Sequence, residues 1–175
     1  FGVVWRSARD VYLNVCEFVQ SLPTTDQCVL LVHPLALPAA ALARAARGEI
    51  RVVGAYLAPA NLRTCHDPLM VGPLPIPRWF PMRWRRWIWG QVDARIIDPS
   101  AVPDLNAERQ SRGLPPVKHL IEHMHSVADV SITLFPSWFA KSQSDWPSPL
   151  YSGDFQLYEP SPNQAMSPEL TRFLA

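Results

Sequence analysis

Two apolar runs, Cys28-Val-Leu-Leu-Val32 and Ile50-Arg-Val-Val-Gly-Ala-Tyr56, with the alanine-rich stretch from Ala36 to Arg47 between them, decide the fold class. The first is of strand length and continuously apolar, the type that a parallel sheet buries on both faces. The second is rich in β-branched residues. Leucine spacing between the two, closing at Gly48, predicts a helix with a glycine past its C-terminus. Strand, helix and strand in this order make a β-α-β unit, the building block of doubly wound α/β sheets.

Upstream, the apolar positions from Val4 to Val19 recur at three-to-four spacing and predict an amphipathic helix that ends at Pro23. Downstream, residues 57–82 carry Pro59, Pro68, Pro73, Pro75, Pro77 and Pro81. Proline removes backbone donors and restricts its neighbours, so no helix or strand is expected there. Long loops inside a domain are usually functional, which makes this one a candidate to line a cleft. Helical spacing returns at Trp84, Trp87, Ile88, Val92 and Ile96, then from Pro103 to Arg112 before Gly113, and from Val117 to His125. Residues 130–135 read as the last clear strand, 147–168 as an interdomain linker, and 167–174 as a final helix.

The 175 residues are 48% apolar and 18% charged, enough for one domain with a core, and the net charge of +1 provides no global field for a nucleic-acid partner. Three cysteines, Cys16, Cys28 and Cys65, have neither a metal-type spacing nor an even count; reduced, packed thiols in a cytoplasmic protein are expected. No apolar run reaches membrane-span length. Both ends read as cut, as in a fragment of a longer protein.

His119, Glu122 and His123 match an H-x-x-E-H metal pattern, with His125 and Asp129 nearby. A third ligand and an ordered support are missing from the pattern, so a solvated helix face is the preferred reading. The stretch from Arg78 to Trp89 interleaves arginines with Trp79, Phe80, Trp84, Trp87 and Trp89. It fits a peripheral membrane contact, with arginine toward phosphates and indole at headgroup level, or an aromatic or lipid-like ligand. Helical spacing alone places Trp84, Trp87 and Ile88 in the core with the arginines solvated. Single-stranded nucleic acid ranks last, because no basic groove continues the pattern. No Gly-rich phosphate loop and no nucleophile elbow occurs.

The segment Leu134-Phe-Pro-Ser-Trp-Phe-Ala-Lys-Ser-Gln-Ser-Asp-Trp-Pro147, followed by Ser152-Gly-Asp-Phe155, resembles the Phe-Pro-x-Trp-Phe-Ala-Pro-x-Gln-x-Asp-Trp-Pro segment and later Thr-Gly-Phe of bacterial family 1 glycosyltransferases. The likeness runs back through Pro103-Asp-Leu-Asn-Ala-Glu-Arg109, Ala58-Pro-Ala-Asn61 and His33-Pro-Leu-Ala-Leu37 to Phe1, covering nearly the whole chain. Within the family it is similar to rhamnosyltransferases of rhamnolipid synthesis and to enzymes that glycosylate macrolides.

The resemblance implies a GT-B fold. Residues 1–146 would be the second half of its N-terminal, acceptor-binding Rossmann-like domain, and 147–175 the interdomain linker and linker helix. The C-terminal domain, which holds the UDP- or dTDP-activated sugar as co-substrate, would lie outside these residues, and this part alone would be inactive. No cofactor or metal is implied. Transfer proceeds with inversion, using a base, commonly a histidine, in a loop that would precede Phe1. An aspartate that orients this base in many relatives is replaced here by His33, the candidate catalytic residue, although an imidazole cannot act as that carboxylate. The expected acceptor is a lipid or another apolar metabolite, bound by Pro59, Ala60, Asn61, His66, Trp79, Phe80 and Trp84. The rival expectation is a non-catalytic, membrane-surface or interaction module working through residues 78–89.

Overall fold

The computed structural model describes residues 14–15, 17–23, 27–67, 69–71, 74–77, 79–156, 169 and 172–173. Four strands, β1 (Cys28–Val32), β2 (Ile50–Tyr56), β5 (Val130–Thr133) and β6 (Leu150–Ser152), form one parallel sheet in the order β1-β2-β5-β6. A separate antiparallel ribbon joins β3 (Leu69–Val71) to β4 (Leu74–Ile76). Among the described residues the helices with defined bounds are α1 (Leu37–Arg47), α2 (Met82–Val92), α3 (Asp98–Ser111) and α4 (Leu120–Val127). The chain is therefore mixed α/β with a parallel, Rossmann-like sheet.

The central β-α-β unit forms as its sequence predicts. Gly48 closes α1 at φ 84°, a left-handed conformation that a side chain disfavours, and its amide bonds the carbonyl of Arg44 at 2.7 Å. The buried side of α1 (Leu37, Leu42, Ala43) packs with Val52, Leu105, Leu120 and Val127 into the main core. The predicted 4–19 helix is helical at residues 14–15 and 17–21, where Val19 joins this core; its earlier part lies outside the described residues. Of the predicted 167–174 helix, only residues 169 and 172–173 are described, and they are helical.

Burial of β1 on both faces is not what the structure shows. Cys28, Leu30 and Val32 pack against the helix layer, but Val29 and Leu31 are each 62% exposed. An apolar run says that both faces of a strand are apolar; whether each is covered depends on elements elsewhere. Among the described residues no α-helix packs on the face carrying Val29 and Leu31.

Four further features differ from the sequence expectations. The proline-rich stretch contains the β3-β4 ribbon, in which Pro75 faces Met70. Each strand of a two-stranded ribbon has a free edge, where a missing N–H breaks no ladder bond. Residues 82–111 form one continuous rod, because a π-helical turn (Asp93–Ile97) carries α2 into α3, with Pro99 in the first turn of α3 and Pro103 inside it. Helix α4 starts at Leu120 and not at Val117, because the Asn106 side chain holds both peptide groups of Val117: Nδ2 donates to its carbonyl at 2.9 Å and Oδ1 accepts from its amide at 2.7 Å. Finally, β6 adds a strand inside the predicted linker. Gly153 permits it, since a Cβ there would stand 2.5 Å from the carbonyl oxygen of Thr133.

Candidate functional site

Parallel sheets place ligands outside the carboxyl ends of their strands, where loops carry the side chains. Here the loops after β2 and β5 meet through one carboxylate. Asp145 accepts from the Thr64 hydroxyl at 2.7 Å and from the Cys65 amide at 2.6 Å. Below this joint Tyr56, Leu62, Phe135 and Trp146 form a second small core, with Phe135 and Trp146 edge to face at 6.4 Å. Burial would raise the Asp145 carboxyl, but the bonds from Cys65 and Thr64, helped by His66, hold it below its ordinary value. The Cys65 thiol moves the other way, pushed up by burial and then by the Asp145 charge.

Against this joint lies a cleft of about 520 Å3, walled by Arg63, Thr64, Cys65 and Asp145 from the loops, Arg86, Trp89 and Gly90 from α2, Asp93 from the π turn, and His119, Ile121, Glu122 and His125 at α4. Arg63 bonds the Asp93 carboxylate and lies over the Trp89 ring, 4.9 Å from its centroid. The Trp89 indole Nε1 is buried without a hydrogen-bond partner. Asp98 is buried; it caps α4 by accepting from the Leu120 amide at 3.0 Å and bonds His119 Nδ1 at 2.9 Å. That bond raises the His119 pKa. His125 is pushed down by burial and by Arg63, against the opposing pull of Asp145. The cleft thus offers a neutral imidazole, a guanidinium at Arg86 and a carboxylate at Glu122 around an aromatic wall, a set suited to a ligand with hydroxyl groups on an apolar frame.

None of the residues expected to bind an acceptor lines this cleft. Pro59, Ala60 and Asn61 form a 3-10 turn after β2. His66 adjoins Cys65, and its Nε2 is 3.0 Å from Ser144 Oγ. His33 follows β1 and accepts the Leu35 amide on Nδ1 at 3.3 Å, which caps a 3-10 turn. Trp84 is exposed on α2, and Trp79 and Phe80, which precede α2, join it through ring contacts.

That placement reverses the core reading of α2. Trp84 and Trp87 are exposed, whereas Arg85 is only 2% exposed. Its guanidinium donates to the carbonyls of Cys65 (2.8 Å), Phe80 (3.0 Å), His66 (3.2 Å) and Pro77 (3.2 Å). A proline-rich loop has more carbonyls than N–H groups to pair with them, and arginine carries five donors in one plane. Arg85 therefore turns inward, and the tryptophans turn out.

Cys65 lines the cleft where core packing was expected, while Cys28 packs against the main core. His119 and His123 line one small pocket together with Glu122, but they are held in different ways. His119 is tied to Asp98, and His123 is partly buried with an unpartnered Nε2 and a pKa lowered to about 4 by burial and then by Arg109. Among the described residues no group of three His, Cys, Asp or Glu side chains is arranged to hold a metal ion, and no helix is long and apolar enough to cross a membrane. No protein-family model matches the chain, and no curated protein matches it.

Proposed function

We infer that this chain is the acceptor-binding part of an inverting, nucleotide-sugar-dependent hexosyltransferase of the GT-B type. The observation that carries the reading is the position of the segment that resembles the glycosyltransferases. Its Asp145 joins the two loops that leave the carboxyl ends of β2 and β5, and its Phe135 and Trp146 form the apolar floor beneath. The segment thereby shapes the wall of a cleft where a parallel sheet presents ligands.

In this reading an apolar acceptor, a lipid or a secondary metabolite, lies along Trp89 and Ile121. Its hydroxyl meets the imidazole of His125, which stays neutral near pH 7 and so can accept a hydrogen bond. The UDP- or dTDP-activated sugar is held by a donor domain outside these residues, and the base expected from the resemblance precedes Phe1.

The test is a transfer assay on the protein carrying both halves, with UDP- and dTDP-sugars offered against a hydroxy fatty acid dimer and a macrolide and products read by mass. A hexose or deoxyhexose added to either acceptor supports the reading. Absence of transfer with every pair, from folded protein, overturns it.

A further inference from the structure

The outer side of α2 has no part in the cleft described above apart from Arg86 at its rim. Trp79 is 80% exposed, Trp87 56% and Trp84 46%. Their rings are continuous: Trp79 to Phe80 at 6.2 Å, Phe80 to Trp84 at 6.4 Å and Trp84 to Trp87 at 5.8 Å. Exposed arginines, Arg83 and Arg86, share this side of the helix and make no ion pair among the described residues. Between Asp67 and Asp93 the sequence has no acidic residue.

Leaving several indoles in water is costly unless something covers them, and large exposed apolar patches mark interaction surfaces. The chemistry of this patch selects among partners. Indole is favoured at the boundary between headgroups and acyl chains, where its ring is buried and its N–H stays wet. Arginine beside it pairs with phosphate bidentately, and each basic residue near an anionic leaflet strengthens binding about fivefold. A protein partner would need a carboxylate for each guanidinium and a shaped pocket for each indole. A bilayer needs neither. Arg85 supports the arrangement from behind, because its bonds to four loop carbonyls hold the loop and α2 as one unit and keep the aromatic row outward.

We propose that the exposed side of α2 carrying Arg83, Trp84, Arg86 and Trp87, together with Trp79 and Phe80 just before it, docks on an anionic lipid bilayer. The protein lies on the surface with the indoles at headgroup depth and the guanidiniums on lipid phosphates. This inference rests on the patch alone and stands whether or not the chain belongs to a glycosyltransferase.

The experiment is co-sedimentation of the full 175-residue chain with vesicles of phosphatidylcholine alone and of phosphatidylcholine with roughly a third phosphatidylglycerol, at low and high salt. Binding should be stronger on the anionic vesicles and weaken with salt. Combining Trp84→Ala with Trp87→Ala should lower partitioning at least about tenfold on both compositions, whereas Arg83→Glu should remove about fivefold or more on the anionic vesicles only. Lipids brominated near the headgroup should quench the wild-type tryptophan emission. If the double variant does not fold, Arg83→Glu and the quenching decide alone. No binding by folded protein at low salt, or equal binding by wild type and Arg83→Glu without quenching, overturns the proposal. Loss of self-association in the tryptophan variant, without vesicle binding by the wild type, assigns the face to a second copy of the chain and also overturns it.

Discussion

Asp145 accepts the Cys65 amide at 2.6 Å, and this bond ties the loop after β5 to the loop after β2 across 80 residues of chain. The same carboxylate takes the Thr64 hydroxyl, so two consecutive residues are held by one side chain.

Replacing Asp145 with Asn keeps an acceptor but removes the charge and one of its two oxygens. We expect a loss of about 1–2 kcal/mol in urea unfolding. Because the Asp145 charge contributes to raising the Cys65 thiol, its removal should also speed labelling of Cys65 by a thiol reagent and shift the pH profile of labelling downward. Unchanged labelling would mean that the carboxylate does not act on the thiol.

Arg85→Met keeps much of the volume but removes the donors for the carbonyls of Cys65, His66, Pro77 and Phe80. Buried acceptors left unpaired should cost about 2–4 kcal/mol. Arg85→Lys should recover only part of it, since one ammonium cannot span carbonyls arranged around a planar fork. Denaturant midpoints of the two variants check both statements.

Gly153→Ala places a methyl 2.5 Å from the Thr133 carbonyl oxygen, against backbone that cannot swing aside. The β6 strand should shift off β5, at about 1–3 kcal/mol. Faster amide exchange at Gly153, whose N–H bonds Thr133 in the wild type, is the readout.

Stability should depend on pH through His123. Its folded pKa of about 4 lies below the ordinary 6.5, so the unfolded chain binds the proton more readily between these values. Stability therefore falls as pH drops from about 6.5 and levels off near 4. His125, also lowered, acts in the same direction. His119, raised, stabilises with the opposite sign, fully below its ordinary value and lost as pH rises through its folded one, but it is too exposed to dominate. Urea midpoints at about pH 7.5 and about pH 4.5 measure the slope. His123→Leu should flatten it.

His125→Ala should weaken binding of a hydroxylated apolar ligand about tenfold, the loss of one hydrogen bond to the ligand, without moving the urea midpoint by more than a few tenths molar. Equal affinity in a fluorescence titration would remove His125 from the site.

The β-α-β unit at 28–56 was legible in the sequence because its signals are local: an apolar run, a leucine spacing and a glycine at the helix end each act within a few residues. The same holds for the strand at 130–133. Other features depended on partners distant in the chain. Helical spacing marks a face of α2 but does not say which face turns inward; that was decided by the carbonyls of a proline-rich loop, which the buried Arg85 guanidinium takes up. The start of α4 was moved by Asn106, and the exposure of Val29 and Leu31 reflects what packs on the sheet and not their own apolarity. The cleft itself joins residues 63 to 145, so its members carry no common sequence signal. Local periodicity set the β-α-β unit and the helices, while contacts between residues distant in the chain decided which sides face inward and added the strand β6, and pairing with one another added β3 and β4.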